Sequence, residues 1–316
     1  MRKLALHVNF NHNVVFTGDA YRFTLNGVGG ESVDLELNEQ QIKLMLARFD
    51  RAFYKRCKKE VILAAIDDAR NTAALEALAK KYYLCDACEF SDINLYGVKR
   101  ILKVLVEALY KYPKLRSKLC FIGTHHTLGQ MFERMEHGDE EVLRNFNLHY
   151  VCNADNAQKL GHIISNILTS IISNHEGYIA TAMCAFGLFD ALLLDKNDFD
   201  GYAYLQVISD LRANEVNGFH PQGCNSVEFV VYHELGHLLD DMCNFYTSDA
   251  FTSFYSTLTA IDIATGLSGY ALESPKEFIA EAFAEYMCNP TPRPIATRTV
   301  ELLDAAYRGS GTRLGA

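Results

Sequence analysis

Residues 225–243, NSVEFVVYHELGHLLDDMC, make two demands on any fold that contains them. At about 100° per residue on a helix, Val227, Val231, Leu235, Leu238 and Met242 fall on one side. His233 and His237 fall on the opposite side, one turn apart. The apolar side must enter a core, and the histidines must face a space that another element fills. Asn225 is placed to cap this helix, with Glu228 three residues on in a variant of the capping box. Gly236 costs roughly 1 kcal/mol relative to alanine inside a helix. A close approach by a neighbouring backbone would account for it.

Two imidazoles at i and i+4 can share one Zn²⁺ through nitrogens at roughly 2.0–2.1 Å. Glu234 lies beside the metal face but is too offset to ligate with them, which suits a general base. Such a site needs a third protein ligand. Where a metzincin carries Gly and His, at 240 and 243, this chain has Asp240 and Cys243. Asp240 lies close to the histidine face, but one helix cannot easily supply three ligands to a tetrahedral ion. Asp240 and Asp241 therefore read as outer support for a ligand histidine, or as a solvated helix end.

The stronger source is SPKEFIAEAFAEYM, residues 274–287. Ser274 can cap this helix, Pro275 suits its first position, and Phe278, Ile279, Ala282, Phe283 and Tyr286 form a buried side. Glu277 and Glu281 project together from the other side. One carboxylate on zinc and the next holding a ligand histidine is a workable arrangement. Ser274-Pro-Lys-Glu277 is equally a capping box. On that reading Glu281 is the ligand, or neither is.

The rest of the chain reads as α+β, mainly helical. Residues 1–36 alternate apolar and polar and suggest a small β-rich start. Helical pattern runs from Asn38 to about Tyr83, with Leu44, Leu46, Phe49, Phe53 and Val61 to Ile66 at its apolar positions. NLYGVKRILKVLVEALYKYPKL is an amphipathic helix ended near Pro113, and KLCFIGT a short strand. A composition shift at 139–155 suggests a domain edge, dividing the chain into 1–150 and 151–316. AQKLGHIISNILTSIISN reads as a helix, GYIATAMCAF and DALLLDKNDF as two strands, YAYLQVISDLRA as a helix and NGFHPQGCN as a loop.

A net charge of −9 argues against nucleic acid as partner. No apolar run approaches the roughly 20 residues of a membrane helix. MRKLALHVNFNHN lacks the apolar region and cleavage site of a signal peptide, so a cytoplasmic chain is expected. Nine cysteines without framework spacing suit a reducing compartment. Cys85 and Cys88 form a CxxC pair with no second pair to complete a zinc ribbon, so they read as two local thiols. His125 and His126 read as loop residues after a strand. His220, shortly before the histidine helix, is placed to line a cleft.

HELGHLLDDM at 233–242 and LSGYALESPKEFIAEAFAEY at 267–286 together resemble the zinc metallopeptidase domain of anthrax lethal factor and its relatives. These include the Pro-Pro endopeptidases and domains of bacterial toxins and phage head-associated proteins. The resemblance implies a gluzincin: a zincin-like domain with a short sheet over residues 151–316 and one zinc per chain. It implies that His233, His237 and Glu277 bind the zinc and that Glu234 is the base. Tyr270, seven residues before Glu277, would assist the tetrahedral intermediate, and Glu281 matches the family's second helix glutamate. It implies a protein or peptide substrate; the lack of a membrane-length apolar run points to no membrane partner, and delivery by a phage particle or secretion system is an alternative to a cytoplasmic life. Residues 1–150 resemble no characterised domain. A phage- or toxin-associated assembly protein with a peptidase-like fold, or a zinc hydrolase of a non-peptide amide, would use the same motifs. A working Glu234 argues against a purely structural zinc.

Overall fold

The structure is a computed structural model, and it describes residues 8–9, 12–16, 21–26, 32–38, 40–41, 52–53, 57–137, 139–145, 158–159, 161–162, 179–184, 190–201 and 203–310. The alternating residues near the N-terminus form strands β2 (His12–Phe16), β3 (Tyr21–Asn26) and β4 (Ser32–Leu37), after a short β1 (Val8–Asn9). β2, β3 and β4 make an antiparallel sheet in which Val14 pairs with Phe23 and Leu25 with Val33. The expected β-rich start is present. Leu44, Leu46 and Phe49 lie outside the described residues.

The helical pattern up to Tyr83 resolves into α1 (Lys59–Asp68) and α2 (Thr72–Lys81). Next come β5 (Ala87–Cys88), α3 (Leu95–Lys111), a 3-10 turn at Pro113–Lys118, β6 (Phe121–Thr124), α4 (His125–Glu136) and α5 (Glu140–Asn145). Beyond them lie β7 (Ala180–Cys184), β8 (Ala191–Leu194), α6 (Lys196–Phe199), α7 (Ala203–Val216) and α8 (Val227–Cys243). The chain closes with α9 (Asp249–Tyr255), α10 (Ala260–Gly266), a 3-10 turn at Tyr270–Leu272, α11 (Pro275–Cys288) and α12 (Pro294–Gly309). The fold is α+β and mainly helical. Among the described residues no helix is long and apolar enough to cross a membrane.

A second sheet has the order β1-β7-β8-β6-β5. β5, β6 and β8 run parallel, and β7 runs antiparallel to β8. All four residues of FIGT and of ALLL are buried, as expected of central strands covered on both faces. β6 precedes residue 150 and pairs with β8, which follows it. Buried side chains from Phe53 to Leu303 also form one cluster. The edge expected at 139–155 therefore does not divide the buried core. Most of the helix expected at 157–174 lies outside the described residues.

Two local expectations are corrected. α8 is capped at Ser226 without a side-chain bond. Asn225 instead donates through Nδ2 to Glu215 (2.6 Å), and Glu228 is paired with Arg100 (2.7 Å). Stronger charged partners have taken both members of the expected box. His125 and His126 are not loop residues but open α4, because Thr124 before them and Thr127 after them form a capping box. With another element filling the space at the histidines, every residue of α8 from Phe229 to Asp240 is buried. It ends at Asn244 in the left-handed region, φ 48°, a conformation asparagine tolerates.

Candidate metal centre

α8 packs most extensively on α11, and also on β7 and α3. The crossing of α8 and α11 is close because Gly236 carries no side chain: a Cβ there would lie 2.9 Å from Ala280 Cα and 3.3 Å from Phe283 Cβ. This is the close approach that the glycine implied. It sets the histidine side of α8 against the glutamate side of α11.

Three donor atoms converge there. His233 Nε2 lies 3.2 Å from His237 Nε2 and 3.0 Å from Glu277 Oε2, and His237 Nε2 lies 3.5 Å from the same oxygen. All three residues are buried. A tetrahedral ion with bonds of ~2.0–2.1 Å sets its ligand atoms ~3.3–3.4 Å apart, so this spacing fits. His233, His237 and Glu277 form a group that could hold a metal ion.

The electrostatics favour positive charge at this point. Burial pulls His233 down, but the Glu277 and Glu281 carboxylates outweigh it and hold its pKa at about 10. Glu277 is pushed up by burial, yet His237 and His233 hold it well below the usual carboxylate range. Burial lowers His237 from the usual histidine range, against the pull of Glu277. Ser274 Oγ accepts from Glu277 N at 3.2 Å. The backbone half of the capping box is thus present, while the Glu277 carboxylate turns to the histidines.

No family model, curated protein or solved structure matches the chain.

Glu281 lies one turn along from Glu277, fully buried. Its Oε1 is 3.0 Å from His233 Nδ1, and its Oε2 accepts from Ser268 Oγ at 2.7 Å. A carboxylate can only accept, so His233 Nδ1 carries a hydrogen toward Glu281, while Nε2 faces Glu277 and His237. Ser268 was not a sequence candidate. It is fixed by accepting from Ala271 N (3.1 Å), and nothing in its local spacing marks it out.

Glu234 is completely buried, and neither carboxylate oxygen has a partner at hydrogen-bonding geometry. Burial pushes its pKa up to about 8, against the pull of His233; the Ala182 backbone on β7 also favours its ionised form. An unpaired buried carboxylate is costly and needs an explanation beyond stability. Tyr270 is buried, with its ring stacked on His233 at 5.9 Å and its N–H donating to Phe219 O.

Asp240 is not brought to the donor group. Its Oδ1 accepts from Tyr246 N at 2.7 Å, tying down the turn after α8, and its Oδ2 is buried without a partner. Asp241 pairs with Lys118 at 2.7 Å. Both aspartates serve the helix end. Cys85 and Cys88 are buried free thiols. The Cys85 contact and burial push the Cys88 thiol far above its usual range, away from the thiolate that redox or metal chemistry needs.

One further support escaped the sequence reading. Glu285 is fully buried and held by Arg293, whose Nη2 is 2.8 Å from Oε2 and whose Nε is 3.0 Å from Oε1. The same guanidinium donates to the carbonyls of Thr265 and Leu267, next to Ser268. Glu277, Glu281 and Glu285 recur every four residues, and that spacing could have revealed the third.

Proposed function

We propose that the chain is a zinc-dependent endopeptidase of the gluzincin type. The observation that carries this reading is a three-donor group beside a fully buried carboxyl, Glu234, whose oxygens have no hydrogen bond at regular geometry and only the Ala182 backbone to favour their charge. A purely structural ion would have no use for that carboxylate. β6 shares the sheet with β7 and β8, so the catalytic unit proposed here includes residues before 150.

His233, His237 and Glu277 would hold the metal. Zinc, when bound, supplies a Lewis acid that polarises a carbonyl and lowers the pKa of water toward ~7. Glu234 takes the proton of the attacking water and passes it to the leaving amine. Its burial places its pKa near the working range of such a base, at about 8. Tyr270 donates a hydrogen bond to the developing oxyanion, a contribution of roughly 3 kcal/mol for donors of this kind. Glu281 accepts from His233 Nδ1–H and keeps that ring in one tautomer.

The test is a peptide-library cleavage screen with wild type and Glu234→Gln, with zinc measured in both. The variant should keep its zinc and lose cleavage by at least about 100-fold. Wild-type cleavage rates in Glu234→Gln would contradict the mechanism. A wild type that binds zinc and cleaves no peptide would favour an assembly role for the same fold.

A further inference from the structure

We propose that His220 is a positioning residue of the metal site, acting through Glu281 on His233. The inference rests on the metal reading above and adds a residue to it. His220 is 1% exposed, in the loop between α7 and α8. Its Nδ1 lies 3.5 Å from Glu281 Oε1, the same oxygen that meets His233 Nδ1 at 3.0 Å. Neither ring nitrogen of His220 has a hydrogen-bond partner at regular geometry. The polar group its ring approaches is thus the carboxylate that orients a metal ligand.

Glu281 is bounded on three sides. Ser268 donates to Oε2, while His233 and His220 flank Oε1. Without His220 the carboxylate could swing about Ser268 and release His233 Nδ1. The His220 ring cannot easily turn away, because it is wedged among Phe219, Phe229 and Tyr270 at centroid distances of 4.9, 5.0 and 5.8 Å. The backbone is equally fixed. Phe219 N and His220 N both donate to Asn214 O, and Gly218 O and Phe219 O accept from Gly269 N and Tyr270 N. One short pairing therefore places His220 and Tyr270 together beside His233 and Glu281.

The chemistry is that of an outer polar group flanking the carboxylate that orients a ligand. Such residues fix the ring orientation and tautomer of a ligand histidine, and their loss weakens metal binding without removing a ligand. The arrangement was not legible from GFHPQGC, which suggested only a place in the cleft wall. His220 instead stands behind Glu281, buried with it.

Three variants test the proposal in the full chain. His220→Asn keeps an N–H donor near the position of Nδ1, His220→Gln moves it toward that of Nε2, and His220→Phe keeps the ring shape with no donor. Zinc affinity is measured by chelator competition, and the cobalt-loaded proteins are compared by absorption. His220→Phe should bind zinc about 10–100-fold more weakly and shift the cobalt bands, while its melting temperature without metal stays close to wild type. His220→Asn should stay within about threefold of wild type, and His220→Gln should not. Wild-type affinity and cobalt bands in His220→Phe would overturn the proposal. So would equal losses in all three variants accompanied by lower melting temperatures, which would make the role packing alone. A wild type that takes up no metal would fail at the earlier step and sink the metal reading itself.

Discussion

Gly236 and Ala280 touch at the crossing of α8 and α11, with no room for a Cβ between them. The donor group depends on this contact, since His233 and His237 stand on one helix and Glu277 on the other. Gly236→Ala should therefore go against helix propensity, which favours alanine by about 1 kcal/mol. A net destabilisation of about 1–3 kcal/mol in denaturant unfolding is expected, because the obstacle is backbone rather than a movable side-chain end. A gain in stability would mean that the helices are not this close.

Arg293 should matter as much as any residue outside the donor group. Its guanidinium binds buried Glu285 and the carbonyls of Thr265 and Leu267. Arg293→Met leaves the Glu285 carboxylate without that partner, at a cost of roughly 3 kcal/mol, somewhat less if water reaches the partly exposed arginine site. Chemical denaturation would measure it. Because Ser268 follows this clamp directly, zinc affinity should fall as well. An unchanged unfolding midpoint would contradict the clamp.

Asp240 gives a pH dependence of definite sign. Burial raises its pKa from 3.8 to about 7 in the folded chain, against the Tyr246 N–H that favours the charged form. The folded state thus holds a proton that the unfolded state has released. Its contribution to stability is fully present below about pH 4 and is lost as pH rises toward about 7, by up to ~1.4 kcal/mol per pH unit. Asp240→Asn keeps an oxygen for Tyr246 N and removes the titration. The difference in unfolding free energy between variant and wild type should slope between about pH 4 and 7 and flatten above. A flat difference throughout would show that Asp240 is ionised in the folded chain.

Much of this was legible before the structure. The spacing of His233, His237, Glu277 and Glu281 implied two helix faces that had to meet, and Gly236 marked where. The strands at 121–124, 180–184 and 191–194 were visible as short apolar runs. What stayed hidden depended on contacts far apart in sequence. The joining of β6 to β8 across residue 150 has no local signal. Asp240 was read from its angular position on the helix, but a backbone N–H six residues on had claimed it. Ser268 and His220 act through Glu281, and nothing near either of them in sequence points there. Asn225 and Glu228 had good local capping chemistry, but Glu215 and Arg100 outcompeted it.

Whether His233, His237 and Glu277 hold zinc is read from the zinc content of the purified chain, measured by elemental mass spectrometry beside Glu277→Ala and Glu281→Ala. Close to one zinc per wild-type chain is expected, with near-complete loss in Glu277→Ala and weakened but detectable binding in Glu281→Ala. Zinc retained in Glu277→Ala and lost in Glu281→Ala would move the ligand one turn along α11. No zinc in the wild type, even after zinc is supplied, would mean that α8 and α11 build no zinc site.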